Sequence, residues 1–178
     1  MDISDFGSSD VLFNVHNYDE WASGKTREEV ELLAENFPGK IYGLTEKGFE
    51  DQLYGVDNVD SFIQTGEKSG NFQGFDQDIE DADYVVLVGG NFGFCHHDAY
   101  SVLDQEHDFD TEFVFPPEAC FRRFESPNPD LGVHTLQEIQ DGRLDIDNDQ
   151  EYFVRKVAEE TGFDKYDWDK CSIQRINV

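Results

Sequence analysis

Short runs of apolar residues alternate with amphipathic and polar segments along this chain. The clearest run, residues 84–88 (YVVLV), has the length and composition of a strand that is buried on both faces. Residues 26–36 (TREEVELLAEN) show the amphipathic pattern of a helix between two such runs. Strands are predicted at residues 11–15, 40–44, 61–64, 84–88 and 112–115, with an added edge strand within residues 171–178. The strand–helix–strand order predicts right-handed crossovers in a mostly parallel sheet.

Helices are predicted between the strands and in the second half of the chain. Thr26 is the predicted N-cap of the first helix, because Glu29 three residues later completes a capping box. Further helices are predicted from residue 95 to about residue 103, at residues 135–140 and 151–161, and briefly within residues 75–83. After a loose polar lead-in at residues 1–10, we expect a single α/β domain over residues 1–178, with helices on both faces of the sheet.

The charge of the chain is strongly acidic, with 40 Asp and Glu against 13 Lys and Arg and a formal net charge of −27. The acids are spread along the whole chain, which favours a solvated acidic surface over a single binding tail. A halophilic, high-salt cytoplasm and ordinary acidity explain this surface equally well. Mimicry of nucleic acid toward a basic protein partner ranks behind both. Direct binding to nucleic acid is not expected, since the basic residues form no patch and the adjacent pairs are limited to Arg122–Arg123 and Arg155–Lys156.

The three cysteines, Cys95, Cys120 and Cys171, have neither the number nor the spacing of a disulfide framework or a zinc site. The first ten residues are polar and acidic, and no apolar run approaches the roughly 20 residues that cross a membrane. We therefore expect a cytoplasmic protein without membrane contact. His96 and His97 are adjacent and would point about 100° apart on a helix, so we expect no metal site and no cofactor.

The segment around Cys95 carries the clearest candidate chemistry. A strand, two glycines, a cysteine and a helix follow one another, and Gly89 and Gly90 let the backbone turn and approach a ligand closely. A thiol at a helix N-terminus lies at the positive end of the helix dipole, which stabilises the nucleophilic thiolate. The plainer alternative is that Cys95 is a small buried hydrophobic residue, as free cysteines usually are.

This arrangement resembles the isochorismatase-like cysteine hydrolases, a family that includes nicotinamidases, carbamoylases and related amidases. Their nucleophilic cysteine follows a strand and a glycine by about six residues, and Gly89 stands six residues before Cys95. The resemblance covers about residues 10–144. It implies a three-layer α/β/α domain and a hydrolase that cleaves a small amide or related C–N bond through a covalent acyl-enzyme on Cys95.

The family's other catalytic positions are altered in this sequence. Its first strand ends in a catalytic Asp, where this chain has Asn14, an amide that cannot take the proton of the thiol. The family's Lys, thirty-odd residues before the cysteine, corresponds either to Gln64, 31 residues before Cys95, or to Lys68, 27 residues before it. His16 is an alternative general base, because its ordinary pKa of about 6.5 suits that role.

We expect these residues to meet in a crevice at the carboxyl ends of the strands. The backbone amides of Phe94 and Cys95, with the glycine turn, would hold the oxyanion. The residues predicted to contact a small-molecule substrate are Gln64, Gly90, Asn91, Phe94 and His96. The alternative is a catalytically retired acidic binding protein on the same fold, which sequesters a small ligand or a basic protein partner. Asn14 and Gln64 favour this alternative, and a homo-oligomer is compatible with either function.

Overall fold

The computed structural model describes residues 1–16, 24–46, 48–49, 53, 56–65, 79–91, 95–106, 111–121, 166–167 and 169–178. The strands are β1 Val11–Val15, β2 Lys40–Glu46, β3 Ser61–Thr65, β4 Tyr84–Asn91, β5 Glu112–Val114, β6 Cys120–Phe121 and β7 Cys171–Ser172. The helices are α1 Gly24–Asn36 and α2 Cys95–Glu106, with short 3-10 turns at Ile3–Asp5, Val56–Asn58 and Pro117–Ala119. None of these helices is long and apolar enough to cross a membrane.

The seven strands form one sheet in the order β3-β2-β1-β4-β5-β7, with β6 beside β4, and every pairing among them is parallel. Leu12 and its neighbours in register belong to the hydrophobic cluster that contains the apolar side chains of α1. Phe13, one residue later, belongs to the opposite cluster, which contains those of α2. The sheet is therefore the middle of three layers, which confirms the predicted α/β fold. Burial of both faces also explains the unbroken apolar runs in its central strands.

Most predicted strands are confirmed, and the differences lie at their ends. β4 continues three residues beyond the predicted end, through Gly89 and Gly90 to Asn91. The prediction of Thr26 as an N-cap is wrong, because α1 begins at Gly24 and Thr26 lies buried inside its first turn. β6, which follows the Pro116–Pro117 break, was not predicted. The helices predicted at residues 135–140 and 151–161 lie outside the described residues.

The N-terminal lead-in is ordered rather than loose. The amino group of Met1 donates a hydrogen bond to the carbonyl oxygen of Arg175 at 3.0 Å. The backbone N–H of Ile3 donates to the carbonyl oxygen of Asn177 at 2.8 Å, and Asn177 returns a bond to Met1. These contacts tie the first residues to the last ones, so the lead-in that was expected to be loose is instead held by hydrogen bonds.

The order of the strands reverses between β1 and β4. The chain adds β2 and β3 on one side of β1 and then returns to place β4 on the other side. In open parallel sheets, the crevice that such a reversal leaves at the carboxyl ends of the two strands is where ligands bind. The end of β1, the end of β4 and the start of α2 are therefore the place to look for a site.

Candidate active site

Cys95 is the first residue of α2, which begins four residues after the last residue of β4. Its side chain is 8% exposed and belongs to the hydrophobic cluster beneath α2. The prediction that a helix begins at this cysteine is confirmed. A thiol in this place lies at the positive end of the helix dipole but has little access to solvent.

The two glycines before Cys95 form an irregularity in a strand rather than a free turn. Gly89 and Gly90 have φ angles of +71° and +43°, in the left-handed region that glycine adopts without steric cost. Both remain within β4, and the pairing of β4 with β6 shifts register between Gly89 and Asn91. β4 is thus distorted at the end that faces the predicted site. Strand irregularities of this kind are common next to active sites.

His96 is fully buried and packs directly on this irregularity. A Cβ atom added to Gly90 would lie 2.8 Å from His96 Cδ2 and 3.1 Å from Val15 Cγ1, so only a glycine leaves room for the ring. His96 Nδ1 lies 3.8 Å from Cys120 Sγ, and the ring centroid lies 5.9 Å from that of Phe115. His96 therefore fixes the end of β4 from inside the protein, and its predicted contact with substrate stays a prediction.

Burial also decides the charge of His96. Desolvation lowers the pKa of its imidazole from 6.5 to about 4, although hydrogen bonds to the backbone of Val88 and Gly89 act in the opposite direction. A smaller lowering of the pKa of His96 comes from His16, which therefore lies close enough to act on it electrostatically. His96 is consequently neutral at pH 7.

His16 lies at the end of β1 in an uncommon backbone conformation. Its φ angle is +43°, and its backbone N–H donates to the carbonyl oxygen of Leu44 in β2 at 3.0 Å. Its Nε2 lies 2.9 Å from Thr65 Oγ1, at the end of β3. Burial lowers the pKa of His16 from 6.5 to about 4. The expectation of a base with an ordinary pKa is therefore wrong, because the buried imidazole is a weaker base that stays neutral at pH 7.

Asn14 is fully buried on the other face of the sheet from the α2 cluster. Its neighbours in register are Gly43 and Val88, and it alternates with Val15, which shares a cluster with Cys95. The side chains of Asn14 and Cys95 therefore approach the end of the sheet from different layers. The predicted role of Asn14 in orienting the thiol or a substrate carbonyl stays a prediction.

The remaining candidates divide between β3 and residues that are not described. Gln64 is exposed on β3, whereas Thr65, which sequence reasoning missed, is buried against His16. The sequence of β3 does not show this burial, because its apolar Phe62 is exposed and its polar Thr65 is buried. Asn91 is described by its backbone alone, and Lys68 and Phe94 lie outside the described residues.

Other features of the described residues lie apart from the candidate site. A cavity of about 150 Å³ opens between α1 and residues 175–177, and none of the candidate residues lines it. No group of three or more His, Cys, Asp or Glu in the described ranges is arranged to hold a metal ion.

Comparisons by sequence find no match, whereas comparisons of structure find proteins with a similar fold. No protein-family model matches the chain, and no curated protein sequence matches it. A protein from Oleispira antarctica described as an isochorismatase hydrolase matches with a TM-score of 0.55 and 11% identity, over 94% of each chain. N-carbamoylsarcosine amidase from Thermoplasma acidophilum matches with a TM-score of 0.53 and 14% identity, over 93% of this chain and 95% of its own.

A third similar structure is the MAR1 ribonuclease from Caenorhabditis elegans. It matches with a TM-score of 0.50 and 13% identity, over 90% of this chain and 88% of its own. At such identities these likenesses show the fold alone. The resemblance to the isochorismatase-like hydrolases is therefore confirmed as a resemblance of fold, and the chemistry has to be argued from the residues.

Proposed function

We propose that this protein is a cysteine-dependent hydrolase that cleaves a small amide or related C–N bond through an acyl-enzyme on Cys95. The observation that carries the proposal is the position of Cys95. It begins α2 at the point where the strand order reverses, beside the distorted end of β4. Nucleophilic cysteines occupy such helix N-termini because the dipole there favours the thiolate.

In the proposed reaction, the thiol of Cys95 gives its proton to the imidazole of His16 and the sulfur attacks the carbonyl carbon. Backbone amides at Phe94 and Cys95 stabilise the oxyanion. The C–N bond then breaks, and the leaving nitrogen takes the proton back from His16. Water attacks the thioester with His16 as the base, the C–S bond breaks, and the thiol and a carboxylic acid are formed.

The low pKa of His16 shapes this proposal. An imidazole with a pKa of about 4 is unprotonated throughout the neutral range, so its lone pair is available to the thiol. Because it is a weaker base than a free imidazole, it takes up the proton only as the carbon–sulfur bond forms, and it readily passes that proton on to the leaving nitrogen. If Lys68 reaches the thiol, its ammonium adds a second stabilisation of the thiolate.

Cysteine labelling tests the nucleophile directly, and the chain supplies its own matched control. Cys95 and Cys171 are 8% and 7% exposed, but only Cys95 begins a helix. At pH 6 we expect iodoacetamide to modify Cys95 at least tenfold faster than Cys171, and faster than a small free thiol, as resolved by mass spectrometry of the digested protein. In urea the two cysteines should react alike.

Covalent turnover is tested with small amides and N-carbamoyl amino acids, because one structural neighbour is an N-carbamoylsarcosine amidase. We expect ammonia release and a transient mass increase on Cys95, both lost in Cys95→Ala. Nucleic acid is a poor candidate substrate despite the structural likeness to a ribonuclease, since a net charge of −27 repels phosphates.

The second candidate function is ligand binding without catalysis, and Asn14 favours it. A buried amide stands where the family has the carboxylate that accepts the thiol proton. Labelling of Cys95 no faster than that of Cys171 would refute the hydrolase. Saturable binding of a small molecule, or of a basic protein, by the same unreactive protein would then support the binding function.

A further inference from the structure

At the end of β3, Thr65 makes a polar contact with His16, the candidate base, and the proposed mechanism gives this contact no role. His16 Nε2 lies 2.9 Å from Thr65 Oγ1, and Thr65 Oγ1 lies 3.4 Å from the carbonyl oxygen of Thr45. All three residues are buried, with His16 at 4%, Thr65 at 7% and Thr45 at 0% exposure. Polar groups buried to this degree are normally paired in a defined way.

The chemistry of these groups limits how they can be paired. A hydroxyl has one proton to donate, and a carbonyl oxygen can only accept. The contact with Thr45 therefore uses the proton of Thr65, and the same oxygen can then only accept from His16. The arrangement that satisfies both contacts has the imidazole proton on Nε2 and the lone pair on Nδ1.

The backbone of His16 indicates that this orientation is imposed on the ring. A φ angle of +43° is uncommon for a residue other than glycine and persists only where the surrounding structure holds it. Here the backbone N–H is bonded to β2 and the ring to β3. Two strands thus hold one residue at the carboxyl end of a third.

We propose that Thr65 is a positioning residue that holds His16 in the Nε2–H tautomer, so that Nδ1 is the basic atom of the site. The catalytic meaning of this assignment rests on the proposed function, whereas the tautomer itself does not. The tautomer matters because a neutral imidazole with its proton on the wrong nitrogen cannot accept one from the thiol.

Nuclear magnetic resonance of the ¹⁵N-histidine-labelled chain at pH 7 tests the tautomer without any substrate. The protein has five histidines, and the signals missing from His16→Asn assign those of His16. We expect a protonated Nε2 and an unprotonated Nδ1 in the wild type. Thr65→Val removes the hydroxyl at nearly constant shape and should shift both nitrogen signals towards a mixture of tautomers, whereas Thr65→Ser should keep the wild-type signals.

The kinetic arm uses iodoacetamide on Cys95. We expect Thr65→Val to slow labelling at least tenfold and Thr65→Ser to stay within threefold of the wild type. A wild-type His16 with its proton on Nδ1, or unchanged nitrogen signals in Thr65→Val, would overturn the assignment. If Thr65→Val does not fold, the wild-type tautomer and the serine variant still decide it. An unreactive Cys95 with the expected tautomer would instead refute the hydrolase and leave the positioning contact standing.

Discussion

The carboxylate of Asp10 binds two separate segments at the amino end of the sheet. It is 3% exposed and accepts hydrogen bonds from the backbone N–H of Gly7 at 2.7 Å and of Tyr84 at 2.8 Å. Hydrogen bonds to a charged group contribute about 1.5–3 kcal/mol each. We therefore predict that Asp10→Ala lowers the free energy of unfolding by about 3 kcal/mol, measured by urea denaturation.

Asp81 provides the control for this prediction. It is an exposed acid in the segment that leads into β4, so Asp81→Ala changes the net charge equally without removing a buried acceptor. We expect that variant to unfold within about 0.5 kcal/mol of the wild type. Equal effects of the two substitutions would mean that charge, and not the two hydrogen bonds, is what Asp10 contributes.

Single residues also show how far the sequence alone could lead to the site. The position of Cys95 was predictable, because the apolar run, the glycines and the cysteine are neighbours in the chain. The pairing of His16 with Thr65 was not predictable, because the two residues are 49 positions apart and meet only through the register of three strands. The burial of His96 was missed for the same reason, because its neighbours Phe115 and Cys120 come from a later part of the chain, just after β5 and in β6.

At the scale of elements, the junction of β1, β4 and α2 places two neutral imidazoles in the interior. The pKa values of His16 and His96 are both lowered to about 4. As the pH falls below about 6.5, the unfolded chain takes up protons at these positions while the folded chain does not, so stability is lost between pH 6.5 and about 4. We predict a loss of about 2–3 kcal/mol for each imidazole by pH 4.5, measured by urea denaturation.

The variants His16→Asn and His96→Gln separate this effect from the titration of the many carboxylates. The carboxylates titrate alike in all three proteins, so the difference in stability between the wild type and each variant isolates the imidazole. Relative to each variant, the wild type should be less stable at pH 4.5 than it is at pH 7. A constant difference across this range would show that the imidazole is not held in its neutral form.

The elements themselves were predictable where the local pattern decides them. β1 begins and ends where the apolar pattern placed it, because both faces of the sheet are covered there and all five of its residues are buried. The continuation of β4 past two glycines was not predictable from the local pattern, because it depends on the pairing of β4 with β6. The start of α1 two residues before Thr26 similarly overrides a local capping signal.

At the scale of the whole molecule, the net charge of −27 opposes the compact state. Raising the salt concentration from 0.1 M to 1 M shortens the screening length from about 10 Å to about 3 Å, which weakens repulsion between surface carboxylates. We therefore predict that potassium chloride raises the free energy of unfolding by about 2 kcal/mol and the melting temperature by about 4–8 °C over this range. Calorimetry at both salt concentrations measures the rise. Sodium chloride at equal ionic strength is the control, because screening depends on ionic strength and not on which monovalent cation supplies it. A melting temperature that does not rise in potassium chloride, or that rises in only one of the two salts, would show that repulsion across the acidic surface is not what limits stability, and would weaken the high-salt explanation of its charge.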